Sequence, residues 1–272
     1  MIILQRIRTS FLPILIGLSM VACPQKPSSE AVVGQRQVLP LRASKMEVFK
    51  SGELLGTYKF TYNEQGQVTA SSLDDESFLT RSFDDRGTIS AENLQAGLLR
   101  QLNVNAQGDV IDEKLFRANG ELQSAHEVTY TYRTQGDGQS RVEQKISKIT
   151  NSDGSTETET TDYTYLHDNG VIKVGSAVAS VEIDGELQGE QITTKFTYSS
   201  LGDLQEVTST SGYHMKIDTK SAAKTRHYLV DSGKDGEVDS VAVVTYEEGI
   251  CQPPAKVYSP EQPTPSECSE AF

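Results

Sequence analysis

The chain has 272 residues, 25 Lys plus Arg against 38 Asp plus Glu, and a formal net charge of -13. That length can bury a sizeable core in one or two domains, and an apolar content of 36% is above what a wholly disordered acidic chain would show. The acidity argues against a nucleic-acid binder, because no basic surface is available in aggregate to neutralise phosphates.

The first residues, MIILQRIRTS, carry Arg6 and Arg8 and no acid, and the apolar run FLPILIGLSMVAC ends at Cys23. A short basic region, an apolar stretch and small residues before a cut site mark an export signal over residues 1–22. The run is too short for a comfortable membrane span. Met20-Val21-Ala22-Cys23 resembles a bacterial lipobox, which implies signal removal before Cys23 and acylation of its sulfur, palmitate-type chains included. Two or three acyl chains hold a protein firmly where one does not. Pro24 rather than Asp follows, and by the lipoprotein sorting rule this favours the outer membrane of the cell envelope. Removing the signal takes away two basic residues and no acidic one, so the mature body is still more acidic. From Cys23 to Met46 the chain is rich in Pro, Ser, Gln and small residues and reads as a flexible tether, with QRQVLPLRA as a possible edge strand.

Next comes a repeat. YKFTYNEQGQVTASS, TRSFDDRGTISAEN and RQLNVNAQGDVIDE place Gly66, Gly87 and Gly108 four residues after Tyr62, Phe83 and Val104, at a glycine interval of 21. Asn63, Asp84 and Asn105 can start a turn through side-chain to backbone hydrogen bonds, and the following glycine can take positive φ as the hairpin loop closes. Gly120 in LFRANGELQ and Gly202 in FTYSSLGDLQ continue the pattern, and LHDNGVIKV echoes it. The flanks alternate at period two, as half-buried antiparallel strands do. Between them, HEVTYTYRT, SRVEQKISKIT, TETETTDYTYLH and EVDSVAVVTYEE are rich in β-branched and aromatic residues. The expected fold is all-β: an extended antiparallel sheet or meander of repeated hairpins over residues 47–250, with a soft boundary near 125–155. LDDESFLTRSF and ENLQAGLLRQLNV could each host a short helix, against the 21-residue rhythm.

The segments FTYNEQGQVT, SFDDRGTIS and FTYSSLGDLQ resemble the tyrosine/aspartate repeats of the Rhs and teneurin type, which build long antiparallel sheets. In those families the repeats wrap a shell around a toxin or bind carbohydrate. Degenerate hairpin repeats of this kind are also similar to those of envelope lipoproteins, the milder kinship.

Cys251 and Cys268 are the other two cysteines, and in an exported chain an even remainder suggests one disulfide. It would close the Pro-rich segment 251–272 with about 3 kcal/mol of loop entropy. Two free thiols or pairing between chains is the alternative. DSGKDGEVDS resembles the start of a calcium loop: Asp231, Asp235, Asp239 and the Glu237 carbonyl could converge around Gly236. Gly233 and Ala242 stand where two ligands are expected, so a solvated hairpin turn competes. Calcium is the one candidate cofactor.

His126, His167, His214 and His227 show no close metal-ligand pairing. There is no GxSxG elbow and no phosphate-binding glycine motif. Asp74, Asp75 and Glu76, or Asp84 and Asp85, read as acids on solvated turns rather than a glycosidase pair. Tyr130 with Tyr132 and Tyr163 with Tyr165 share a sheet face, for core packing or for stacking on sugars. The expected function is a lipid-anchored envelope protein with a structural or partner-binding role, its partner an envelope protein or a glycan. The alternatives are an envelope glycan-active hydrolase and a calcium-stiffened adhesion module.

Overall fold

The computed structural model describes residues 39–84, 89–105, 109–168, 171–200, 203–220, 223–233, 235–251 and 268–269. The signal, Cys23 and most of the tether lie outside them, as do Gly87, Gly108, Gly202 and most of the Pro-rich segment. The strands in chain order are β1 (Leu39–Lys50), β2 (Glu53–Tyr62), β3 (Val68–Leu73), β4 (Glu76–Phe83), β5 (Ile89–Leu94), β6 (Leu98–Val104), β7 (Val110–Phe116), β8 (Leu122–Thr134) and β9 (Ser140–Asn151). They continue with β10 (Thr156–Asp168), β11 (Val171–Ile183), β12 (Glu186–Leu187), β13 (Ile192–Tyr198), β14 (Leu204–Ser209), β15 (His214–Lys220), β16 (Thr225–Asp231), β17 (Ser240–Cys251) and β18 (Cys268–Ser269).

The fold is the expected antiparallel meander, and it closes. Successive strands pair from β1 to β11, β11 pairs with β13, pairing continues to β17, and β17 returns to β1. Sixteen strands make the ring; an even number lets the last meet the first antiparallel. The short β12 folds back on β11, and β18 adds to β1 at Leu41 and Arg42. β1 begins at Leu39, inside the stretch read as tether. Its low-complexity start hides a strand because Leu41, Ala43 and Met46 are buried only once β17 and β2 flank them. Neither short helix forms; β4 and β6 occupy those segments, with one 3-10 turn at Gln95–Gly97.

The turns explain the repeat. The Asn63 carbonyl accepts from the Gly66 N–H at 3.0 Å, its side-chain oxygen accepts from the Gln67 N–H at 2.9 Å, and Gly66 has φ 78°. A β-carbon on Gly66 would sit 2.4 Å from the Ile250 carbonyl oxygen, so this turn leans against the end of β17. Asn105 accepts from the Asp109 N–H in the same way, at 3.0 Å.

The tyrosines have a second task. Bulges interrupt the ladder just after Ala43, Val110, Val142 and Val174. At each, the carbonyl before the bulge accepts from a tyrosine on the adjacent strand: Tyr62 to Ala43 at 2.8 Å, Tyr130 to Val110 at 3.0 Å, Tyr165 to Val142 at 2.6 Å and Tyr198 to Val174 at 3.0 Å. A bulge disrupts local pairing, and the hydroxyl supplies a donor there, a contact worth about 1 kcal/mol net. In these four places the tyrosine of one hairpin therefore fastens the hairpin before it.

The inner face carries one continuous apolar cluster that includes Tyr58, Phe78, Val142, Tyr163, Phe196 and Val244. Val207 is 0% exposed and Met46, Met215 and Val244 1%, so at these positions the interior is sealed from water rather than lining a wide channel. Many outward positions are hydrophilic: on β8, Glu127, Thr129, Thr131 and Arg133 are exposed, and on β10, Asp162 and Thr164, with single apolar side chains such as Leu122 and Leu166 exposed among them. A membrane-spanning barrel presents an apolar band outward, and a charge there costs about 2–4 kcal/mol at mid-bilayer. The charged and hydroxyl-bearing outward positions of β8 and β10 suit water.

Candidate functional site: a charged inner wall and an acidic rim

Period-two alternation puts alternate residues of each strand inside, and on β4 to β10 some of these are charged. Arg81 Nε lies 2.8 Å from Glu92 Oε1, and Glu92 Oε2 lies 2.6 Å from Arg100 Nη1. Arg100 Nε is 3.3 Å from Glu113 Oε1, and Glu113 faces His126, which bonds in turn to Ser147. Two residues along β9 from Ser147, Lys145 reaches Glu159 at 3.1 Å, and Glu159 also accepts from Thr161. Side-chain exposure is 3% for Arg81 and 5% for Glu92, so these are desolvated charges that must be matched. Burial pushes the Glu113 carboxyl up, but the hydrogen bond from His126 and the Arg100 charge outweigh it, leaving Glu113 below the usual glutamate range. This ladder was not read from the sequence, because it exists only through register: Arg81 and Arg100 both face Glu92, and Glu113 faces His126.

The tyrosine pairs line the same interior. The rings of Tyr130 and Tyr132 are 6.0 Å apart, Tyr163 belongs to the core, and Tyr130, Tyr132 and Tyr165 pack against it. Burial pushes Tyr165 up to about 12 and raises Tyr130, Tyr132 and Tyr198 further. These hydroxyls stay protonated and remain donors. Tyr132 donates to Asp109 at 2.5 Å and accepts from Asn105 at 2.7 Å.

Strand alternation sorts the turns onto two rims. One holds the start of β1, the end of β17, and the turns at Asn63, Asp84, Asn105, Asp137 and Ser199. Several of its charges are matched: Asp137 with Arg141, Arg42 with Glu247, Lys224 with Glu248. The opposite rim carries Asp74, Asp75 and Glu76, then Asp184, Glu186 and Glu190, then Asp235, Glu237 and Asp239, against Lys50 at the end of β1, Lys59, which meets Asp75 at 2.6 Å, and Arg117, which lies 3.9 Å from Glu121. The first group makes a tight turn, with φ 49° at Asp74 and 70° at Asp75. Asp74 accepts from the Thr57 N–H at 2.8 Å, and Asp184 repeats this with Thr156 at 2.9 Å.

The calcium-like loop lies on this acidic rim. Its carboxylates turn back on their own backbone: Asp231 accepts from Gly233 and Gly236, Asp235 from Glu237, and Asp239 from Ser232. Among the described residues no three His, Cys, Asp or Glu side chains gather as a metal site. Of the histidines, His214 meets Glu206 at 2.7 Å, His227 lies 3.3 Å from Thr225, and His167 is exposed. Cys251 is 0% exposed with Tyr62 packed against it. Beside the loop, on the outer surface, a groove of about 280 Å³ opens between Phe49, Val238, Val241 and Val243, with Ser51 and Asp239 at its edge. Sequence alternation on β17 marks these valines as one face, but not as the face left uncovered.

No protein-family model matches the chain, and no curated protein matches it. Among solved structures it is similar to a porin-like protein from Bacteroides uniformis, at 13% identity and a TM-score of 0.46, over 76% of this chain and 96% of that one. It is also similar to a Photorhabdus luminescens Tc holotoxin pore, at 11% identity and a TM-score of 0.26 over 74% of this chain, and to a TcdB2-TccC3 structure, at 9% identity and a TM-score of 0.27 over 74%. The chain spans only 16% and 15% of the length of those two toxin chains.

Proposed function

We propose that the protein is a lipid-anchored envelope protein, held through Cys23, that presents a closed, water-facing β-barrel for binding a partner. The observation that carries this reading is the division of the rims. The chain enters β1 at the rim with matched charges, where Leu39 pairs with Cys251, so an anchor at Cys23 would leave the acidic rim facing away from the membrane. The outward charges of the strands support a barrel that stands on a membrane rather than within it. Rhs-type repeats fit as the building unit, because in four hairpins a tyrosine ties the hairpin to its neighbour.

A disulfide between Cys251 and Cys268 belongs to the same reading. β18 pairs with β1 at Arg42, close to where Leu39 pairs with Cys251, so both cysteines sit at one end of one strand. Such a bond would clasp the seam at which the ring closes. The anchor is tested by metabolic labelling with a radioactive fatty acid: the wild type should take up label and Cys23→Ala should not. Equal labelling would overturn the reading.

A further inference from the structure

We propose that the groove on the acidic rim docks an extended, cationic segment of another protein that carries an apolar side chain. This rests on the partner-binding reading and gives it a partner class. The groove floor is apolar, formed by Phe49 with Val241 and Val243 of β17. Val238 stands over it at 48% exposure, and Leu54, which pairs with Phe49, is 53% exposed with Leu55 at 60%. Other exposed apolar side chains, such as Leu122 on β8 and Leu166 on β10, stand beside Thr and charge on their strands, whereas here Phe49, Val238, Val241 and Val243 line one groove. Exposed apolar ground rimmed by polar groups marks interaction sites.

The rim around it fixes the sign of the partner. Asp239 lies at the groove edge, and Asp235, Glu237 and Glu53 belong to or flank the two connections that frame it, where they outnumber the bases Lys50, whose charge acts on Asp239, and Lys234. An apolar slot in a locally acidic surround repels anionic chains and attracts Lys and Arg, and long basic side chains can cover apolar surface with their stems while their charged ends meet the acids. The sheet is closed, so strand addition at an edge is not offered on this face. Binding must come from side chains, and one apolar anchor flanked by basic residues fills what the groove presents.

The test uses the full purified chain and a fluorescent octapeptide of alternating Lys and Phe, read by anisotropy, with Glu/Phe and Lys/Ser octapeptides as controls. The Lys/Phe peptide should bind at least about tenfold tighter than either control, and its affinity should fall as salt is raised. Val238→Lys, in a turn outside the strands, should weaken it at least about tenfold with an unchanged melting temperature. Asp203→Lys makes a charge change on the opposite rim and should leave binding as it was. Equal binding of Lys/Phe and Lys/Ser, or equal loss in both variants, would show attraction by overall charge only and overturn the proposal. Self-association of the wild type abolished by Val238→Lys would also overturn it, in favour of a second copy as occupant. Because no step depends on acylation, failure here is distinct from failure of the labelling test.

Discussion

The barrel has two unlike inner walls. From β4 to β10 the interior holds Arg81, Glu92, Arg100, Glu113, His126, Lys145 and Glu159 in a cross-strand chain, whereas from β11 through β17 it holds Ala177, Phe196, Val207, Met215, Tyr228 and Val244. Both are built from strands of the same alternating kind. The apolar wall is stabilised by burial, at about 25 cal/mol per Å² of apolar surface, and tolerates changes of register poorly only because it would expose that surface. The charged wall adds a second condition, since a slip of one residue would strand desolvated charges. Charge pairing thus adds to the apolar core in specifying the alignment of β4 to β10.

The largest effect should come from cutting the charged wall at its centre. Glu92→Ala leaves two guanidinium groups facing each other without their carboxylate and should cost about 3–5 kcal/mol in urea unfolding. Replacing the whole group, as Arg81→Met with Glu92→Leu and Arg100→Met, should restore much of that stability, because an apolar set removes the desolvation cost; a triple variant as unstable as Glu92→Ala would show that the pairs stabilise outright. On the apolar wall, Met215→Ala opens a cavity at a sealed position and should cost about 2–5 kcal/mol, with no recovery from any charge change.

Tyr165→Phe should cost about 1–2 kcal/mol, since it keeps the ring and leaves the Val142 carbonyl short of a donor. A loss no larger than that of an exposed control such as Thr164→Ala would remove the tyrosine from its fastening role. The pH response sharpens the comparison further. Glu113 is held below its usual range, so its contribution is present above the unfolded carboxyl pKa and is lost as pH falls through the lower folded value. Glu113→Gln should flatten that acid limb of the unfolding midpoint, and an unchanged limb would assign it to other groups. The smallest effect is expected at the surface: Asp137, held down to about 2 chiefly by the hydrogen bond from Arg141, should titrate nearer the ordinary range in Arg141→Ala by NMR, with little change in stability because the pair is exposed.

Particular residues show what could be read early. The spacing of Asn63 and Gly66 announces a hairpin loop, since an Asn side chain and a positive-φ glycine are local requirements met within five residues. Alternation in HEVTYTYRT announces a strand, and its tyrosines announce an inner face. Glu92 and Arg100 were illegible as partners, because nothing local distinguishes an acid that meets two arginines indoors from one on a wet surface. β1 was legible only as an alternative, the edge strand QRQVLPLRA: Pro40 and the polar residues around it look like tether until β17 supplies the missing side. Phe49 and Val241 lie far apart in sequence and form a groove only where the ring closes.

The sequence by itself determined the antiparallel hairpins, their turns, and the tyrosine rhythm, because each is set by interactions within one or two strands. Closure of the ring, the division into a charged and an apolar wall, and the excess of acids on one rim were decided by the tertiary structure alone. Those features depend on pairing β1 with β17 and on the register of every strand between, and loop-length separations carry no local signal of which distant strand will supply the last hydrogen bonds.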